Sequence, residues 1–551
     1  MSLITLPPLI CAVLAAVLFK LWRAVVRVQY NSLRHLPGPE SPSVLFGFAW
    51  QFWSADPTEL HEEWVRLYGR TMSYRILSDI CLFTMDTKAL AHILTHDAVY
   101  QKPYAVRTFI AEMLGTGEQH RRQRRVVNPA FGPLQIREFT GLFVKKACQL
   151  RDILSLEVAM HGSVAKVDLY NWLHRMSLDV ISEAAFGYDI GTLNVEARSN
   201  ELCDAFRLVA QSVTRMSLWP MLRFFFPILR IFPEEQSRRF AKARRVMGEF
   251  ASIRIDEKRQ EMEDNKSGKH VRRRRGDFLT LLVEANMGAS LPEGQRLSDE
   301  TLIDECRTIL VAGHDTTAIT LSWFFYNIAL YPDMQEKLRS ELLSLPTDDP
   351  TTEELSSLHY LDCVLREVVR LYPVLPSSLR VATEDTVLPL GEPVQINGQT
   401  QDRILCVLPF SLMSNPWMLT TGRRRFRVGK GTPIVIPILA INRDKALWGE
   451  DAFEFKPERW DNLPEAVSSI PGIWANNLTF MGGQHACLGY KFSLNEAKVT
   501  VFTLLRAFEF ELGLPAEDVG RTPTMLMRPM RLSDPDSGPQ LPVLVRPYRR
   551  E

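Results

Sequence analysis

Missing from this chain is any glycine- and serine-rich or low-complexity linker, although its 551 residues are long enough for several domains. One large domain is the simpler reading, and a hydrophobic content of 46% supplies an extensive core for it. Charge of one sign is missing too. The 65 basic and 64 acidic residues leave a formal net charge of +1, which excludes nucleic-acid binding through bulk charge. The eight cysteines are scattered, with no pair at a metal-clip spacing, a pattern of reduced thiols rather than of a disulfide framework.

Charge is also absent from residues 1–19, and residues 3–21 approach the ~20 apolar positions that span a bilayer as a helix. Lys20, Arg23, Arg27 and Arg34 all follow that run, whereas a cleaved signal peptide would carry its basic residue before it. The order predicts a retained membrane anchor with a lumenal N-terminus and the remaining chain in the cytosol. The predicted organisation is an anchor with its basic flank at 1–28, a stiff hinge at 29–45 built around Pro37-Gly38-Pro39 and Pro42, and one large domain at 46–551.

What is present is most informative at Phe480-Met481-Gly482-Gly483-Gln484-His485-Ala486-Cys487-Leu488-Gly489. A lone cysteine on a glycine-punctuated turn ahead of a helical pattern can offer a thiolate to a metal. The glycines Gly482, Gly483 and Gly489 permit unusual backbone angles and close approach of a flat ligand. A helix beginning near Leu488 would direct amide N–H groups at the sulfur and favour its ionised form. Taken alone, the same segment also reads as a buried structural cysteine.

Three further segments precede it. Glu367 and Arg370, in Leu365-Arg366-Glu367-Val368-Val369-Arg370-Leu371-Tyr372-Pro373, stand one helical turn apart. Pro457-Glu458-Arg459-Trp460 follows, and Ala312-Gly313-His314-Asp315-Thr316-Thr317 interrupts an apolar helix predicted over Asp299 to Tyr331 with Ser298 as its N-cap. A mid-helix Gly costs ~1 kcal/mol against Ala, and a buried Asp costs more unless it is hydrogen-bonded. The break reads either as a polar kink closed by threonine back-bonding or as a groove for a ligand. Together with the cysteine turn, these segments closely resemble the cytochrome P-450 haem-thiolate monooxygenases, most of all fungal membrane-bound members.

The resemblance runs from the anchor to the last helix. It implies a mainly α fold with a small β portion, an α+β single large domain behind an N-terminal transmembrane helix. It implies haem b ligated by Cys487, with Phe480 in the same cofactor loop. His120 and Arg124, in the arginine-rich run before Asn128-Pro129-Ala130-Phe131, together with Arg380 and His485, match donors to the haem propionates, His120 standing where Trp is usual and His485 where Arg is commoner. Thr316 and Asp315 match the family's proton-delivery pair, which favours the groove reading. Glu367, Arg370 and Arg459 would form a structural clamp. The chain has no flavin or dinucleotide fingerprint, so electrons from NADPH would arrive through a separate reductase, docked against Arg121, Arg122 and Arg125. The substrate would be a lipophilic small molecule, the lipid partner the endoplasmic reticulum membrane, and the chemistry a hydroxylation or related oxidation in fungal secondary metabolism such as terpenoid biosynthesis. Desaturation, rearrangement or coupling at the same haem, or a non-catalytic haem-thiolate sensor, are the alternatives.

Other segments have simpler readings. Residues 218–229, apolar and aromatic, match the family's membrane-dipping lid, with plain core as the alternative. Residues 272–275 are four consecutive arginines, read as an exposed loop between helices, with anionic lipid contact as the alternative. Asn477-Leu478-Thr479 is a glycosylation sequon made inert by a cytosolic location. The 103–117 stretch is short for the family's substrate-facing loop. Residues 403–426 look like an insertion between strands, either a surface loop or a retained intron.

Overall fold

The computed structural model describes residues 31–549 apart from 195–228, 267–276, 288–295, 406–427 and shorter stretches at 44–45, 55–56, 78, 115–119, 230–231, 233–234, 397–398 and 523–524; Trp22 and Val28 are also described. The expected anchor, the 218–229 segment and the 272–275 run therefore lie outside the described residues, Trp22, Val28 and Leu229 excepted. Among the described residues no helix is long and apolar enough to cross a membrane. Helices dominate and strands are short, the α+β composition that the sequence led us to expect.

The chain divides into two compact units, each drawn from several segments. The first comprises Met1–Pro103, Leu375–Ala452 and Pro464–Ala486. Its sheet has the order β1-β2-β8-β5-β3, with β1 at Thr71–Ile76, β2 at Asp79–Thr84, β3 at Tyr100–Gln101, β5 at Ser378–Ala382 and β8 at Pro433–Ile436. β2 and β8 run parallel and the other pairs antiparallel. β2 is buried at all but its first residue, because Ile80-Cys81-Leu82-Phe83 is a continuous apolar run rather than an alternating one. Phe48, Trp64, Met72, Tyr74 and Phe83 form the core beside it. The proline stretch is seated on this sheet. Pro37 accepts from the Ser73 amide at 3.0 Å, and Leu33 and Leu36 are buried. A hairpin of β6 (Val387–Ile396) and β7 (Gln399–Leu405) leads into the suspected insertion, of which only residues 403–405 are described.

The second unit comprises Tyr104–Val374, Phe453–Leu463 and Cys487–Glu551. Helix Tyr104–Leu114 fills the short stretch after Pro103. The unit's axis is the central helix Asp299–Leu330, capped by the Ser298 side chain on the Thr301 amide and ended at Tyr331, as its sequence predicts. Nearly every residue from Thr317 to Ala329 is buried, consistent with an apolar surface on all sides. Gly313 is where helix Leu169–Phe186 crosses: a β-carbon there would lie 2.7 Å from the Ile181 side chain. Close helix packing thus offsets the cost of a mid-helix glycine. Helix Tyr490–Ala507 packs on Pro133–Met160 through Phe492, whose ring centroid lies 4.9 Å from that of Phe143. A sheet β4-β12-β9 (Ala165–Asp168, Pro542–Pro547, Phe508–Leu512) and a ladder β10-β11 (Val519–Arg521, Pro529–Arg531) complete the unit.

Candidate active site

The cysteine turn is backbone-determined on its N-terminal side. Met481 and Gly483 have φ of 59° and 63°, in the left-handed region that a side chain disfavours. A β-carbon on Gly483 would approach the Leu94 carbonyl oxygen to 2.0 Å, and one on Gly482 the Pro471 carbonyl to 2.0 Å. Gly489 differs from expectation in its backbone angles: its φ of −85° suits any residue, and it stands as the N-cap of helix Tyr490–Ala507. The helix therefore begins two residues later than Leu488. His485 ends the 3₁₀ turn Gly483–His485 and is half-buried, while Phe480 lies edge-on to Trp474 at 5.7 Å between centroids.

Cys487 is an accessible free thiol that is nonetheless heavily desolvated. Desolvation pushes its pKa up, against the Gly489 and Tyr490 amides and the Arg124 guanidinium, which favour the thiolate. The expected helix-start effect is thus present and outweighed. Cys81, Cys148, Cys306 and Cys363 are also free thiols, as expected for a reduced protein. Arg124 sits in helix His120–Val127 within electrostatic reach of Cys487, and burial lowers its own pKa. The structure therefore brings together two of the residues singled out. His120 begins that helix, but its side chain and those of Arg121, Arg122 and Arg125 lie outside the described residues.

In the first unit, Arg380 is 2% exposed on β5 and donates to Ser378 Oγ and the Leu379 carbonyl at 2.9 and 2.8 Å. Among the described residues no carboxylate pairs with it, and desolvation lowers its pKa to about 10. Lys102, which sequence reasoning missed, is lowered by burial and by Arg380 itself. Two cations crowded together against their own repulsion suit an anionic ligand such as a carboxylate. A lone accessible thiol likewise suits a metal that takes thiolate. By chemistry each set fits one part of a haem, the Arg380–Lys102 pair an acid group and the Cys487 thiol the iron.

On the central helix, Asp315 and Thr316 are neighbours in sequence with different surroundings. Asp315 is 6% exposed and accepts from Arg528 and from the Tyr170 hydroxyl at 3.0 Å. Burial alone would raise its pKa, but Arg528 overrides this and holds it well below the ordinary carboxylate range, with His174 and His314 adding. Both imidazoles are kept neutral by burial, His174 being pushed down to about 3. Thr316 donates to the Ala312 carbonyl at 2.7 Å, and Thr317 to Gly313 at 3.2 Å. Threonine back-bonding is thus part of the polar break.

A sequence profile of the family described as Cytochrome P450 matches residues 37–396 and 421–532. The chain belongs to the cytochrome P450 family. Its gap at 397–420 overlaps the insertion expected at 403–426. Cytochrome P450 monooxygenase 205 of Postia placenta is 44% identical over 97% of both chains, and monooxygenase 128 of the same fungus 41% identical over 98% of this chain and 97% of its own. Cytochrome P450 monooxygenase claP of Ampulloclitocybe clavipes is 32% identical over 98% of each. This P450 is accordingly a monooxygenase of a family that uses haem and reductase-supplied electrons.

The expected clamp is present in this P450 and is more complete than the sequence suggests. Glu367 and Arg370 are fully buried and doubly bonded, at 2.9 and 2.7 Å. Arg459 Nε (3.1 Å), Trp460 Nε1 (3.1 Å) and the Lys456 amide (3.0 Å) donate to the same carboxylate. Two residues had only weak signals: Trp460, a clamp donor in the Pro-Glu-Arg-Trp run, and Arg528, the partner of Asp315 and a single charge in the apolar stretch Met525-Leu526-Met527-Arg528-Pro529-Met530. Asn477 of the sequon is fully buried, so the folded chain has no room there for a glycan.

Proposed function

We propose that this chain is a membrane-anchored haem b monooxygenase that inserts one oxygen atom into a lipophilic small molecule, with electrons delivered from NADPH by a separate reductase. The accessible thiol of Cys487, set before the Gly489 and Tyr490 amides and beside Arg124, carries this reading. Haem bound there would supply dioxygen activation, which a thiolate ligand promotes by favouring O–O cleavage. Arg124, Arg380, His120 and His485 would receive the haem carboxylates, with Lys102 adding charge, and Phe480 would close the cofactor loop. That no carboxylate pairs with Arg380 among the described residues supports this assignment.

Thr316 and Asp315 would move the protons. The Thr316 hydroxyl donates to Ala312, which leaves its oxygen able to accept. Asp315 rests as an anion on Arg528, so it carries no proton of its own at neutral pH. It takes one up only on leaving Arg528, and then hands it to Thr316. The ion pair thereby sets when protons move.

The uncharged residues 1–19 and the basic residues after them support a single-pass anchor in the endoplasmic reticulum with the catalytic domain in the cytosol. The likeness to fungal cytochrome P450 monooxygenases supports the oxidation chemistry, and a role in secondary metabolism such as terpenoid oxidation is the part of this proposal that rests on the family resemblance alone. The test uses membranes carrying the full chain and a reductase, supplied with NADPH, ¹⁸O₂ and a panel of lipophilic precursors. Products heavier by one labelled oxygen are expected. Products that lose hydrogen without gaining oxygen would move the reading to desaturation. NADPH oxidation unaffected by every precursor, without product, would favour a sensor.

A further inference from the structure

We infer that His359, Cys363 and Asp461 form a binding site for a borderline divalent cation of the zinc class. None of the three is among the residues assigned to haem. His359 is the first residue of helix His359–Leu371 and Cys363 stands one turn on, so both present on one face. Asp461 ends the 3₁₀ turn Pro457–Asp461 and comes from 102 residues away in sequence. Their donor atoms, one nitrogen, one sulfur and one oxygen, all lie within 4.8 Å of one another.

The arrangement differs from a proton relay. A relay would use both imidazole nitrogens, one toward the thiol and one toward the carboxylate. Here a single nitrogen, His359 Nε2, faces both, 2.6 Å from Asp461 Oδ1 and 3.5 Å from Cys363 Sγ. Three lone-pair donors therefore converge on one small volume. Imidazole, thiolate and carboxylate together are a donor set that suits zinc, and the 70% and 56% exposure of the His359 and Asp461 side chains leaves a further position open to water.

The framework agrees with a cation. Asp461 and Asp362 both stand beside the Cys363 sulfur, and Lys498 pairs with Asp362 at 2.8 Å. Arg366 is also engaged by Asp362 at 2.5 Å. The ligand-bearing elements are fixed by other contacts. Glu341 accepts from the Tyr360 and Leu361 amides at 2.7 and 2.8 Å, which anchors the helix start. Glu458 accepts from the Tyr360 hydroxyl at 3.2 Å and from Lys337 at 2.6 Å, which ties the 3₁₀ turn to it. Such supporting contacts pre-organise metal ligands. On binding, the S–H bond breaks, an S–metal bond forms and the proton leaves to solvent. The cation would then staple the helix carrying Glu367 and Arg370 to the turn carrying Arg459.

The haem-loaded full chain, stripped of adventitious metal with a mild chelator, should take up one Zn²⁺ per chain in competition with a chromophoric chelator. Cys363→Ser and His359→Ala should each weaken this by more than about 10-fold, the scale on which even supporting groups act. ¹¹³Cd bound in place of zinc should resonate in the thiolate-ligated range in the wild type and leave it in Cys363→Ser. His359 is exposed, so its variant should fold, and an unchanged haem spectrum in both variants verifies this independently of metal. Equal zinc affinity in wild type and both variants, or a ¹¹³Cd signal from oxygen and nitrogen ligands only, would overturn the site.

Discussion

Arg528 turns two N–H groups onto one oxygen of Asp315, Nη2 at 2.5 Å and Nε at 3.1 Å, with both side chains buried. The pair ties the residue just before β11 to the polar break of the central helix. Tyr170 fills the other carboxylate oxygen, while Arg528 Nη1 is buried without a hydrogen-bond partner among the described residues. A charge pair so placed acts on stability and, under the proton-delivery role proposed for Asp315, on proton traffic too.

Removing one member should therefore cost more than removing both. Arg528→Met leaves a buried carboxylate unpaired and should destabilise by about 3–5 kcal/mol, whereas the double variant Asp315→Asn, Arg528→Met should recover much of that. Because the folded pKa of Asp315 is depressed, its contribution is present above about pH 4 and is lost as pH falls through the folded value. Arg528→Met should accordingly raise the pH of acid unfolding. Denaturant titrations of the haem-loaded protein at several pH values measure both. Equal losses in the single and double variants would remove the pair from the account of stability.

Glu496 predicts the opposite pH dependence. It is fully buried, Ser177 donates to it at 2.6 Å, and its second oxygen has no hydrogen-bond partner among the described residues. Desolvation pushes its pKa up to about 8. The folded protein keeps that proton where the unfolded chain, with a pKa of about 4.3, has released it. Stability should fall as pH rises between those values, by roughly 1.4 kcal/mol per unit. Glu496→Gln should flatten this slope and be more stable than wild type at pH 8, with little difference below pH 4. Parallel slopes in thermal unfolding would count against it.

The carboxylate of Glu367 receives five donors, so its loss strands several at once. Glu367→Ala leaves Arg370 wholly buried without its counter-charge and should cost at least about 3–5 kcal/mol. Glu367→Asp, charged but one methylene shorter, should lose much of the same stability, since the five donors are placed for the longer side chain. The yield of folded, haem-containing protein and its denaturant midpoint report this. A wild-type midpoint for Glu367→Ala would mean that the clamp is dispensable.

Thiolate ligation by Cys487 has an optical signature. The reduced protein under carbon monoxide should show a strongly red-shifted Soret band, absent in Cys487→Ala. Cys487→His should retain some haem but lose oxygenation, because imidazole gives a weaker electron push. Persistence of the band in Cys487→Ala would assign the ligand to another cysteine.

The central helix was legible because its signals are local: Ser298 caps it, Tyr331 ends it, and the apolar stretches on either side of its polar break demand burial. The cysteine turn was legible because Gly482 and Gly483 are required by the backbone itself, through close approach and positive φ. Gly489 was misjudged because an N-cap glycine looks the same in sequence whether or not its conformation needs it.

Sequence by itself thus determined the family, the α+β composition, the bounds of the central helix and the glycine turn that presents Cys487. Local steric and capping rules act within a few residues and leave a readable pattern. Only the tertiary structure decided that Asp315 rests on Arg528, 213 residues away, and on Tyr170, 145 residues away, that Lys102 crowds Arg380, and that Asp461 meets His359 and Cys363. Charges and hydrogen-bond donors act over a few ångströms whatever their distance along the chain, so their partners exist only once the chain is folded.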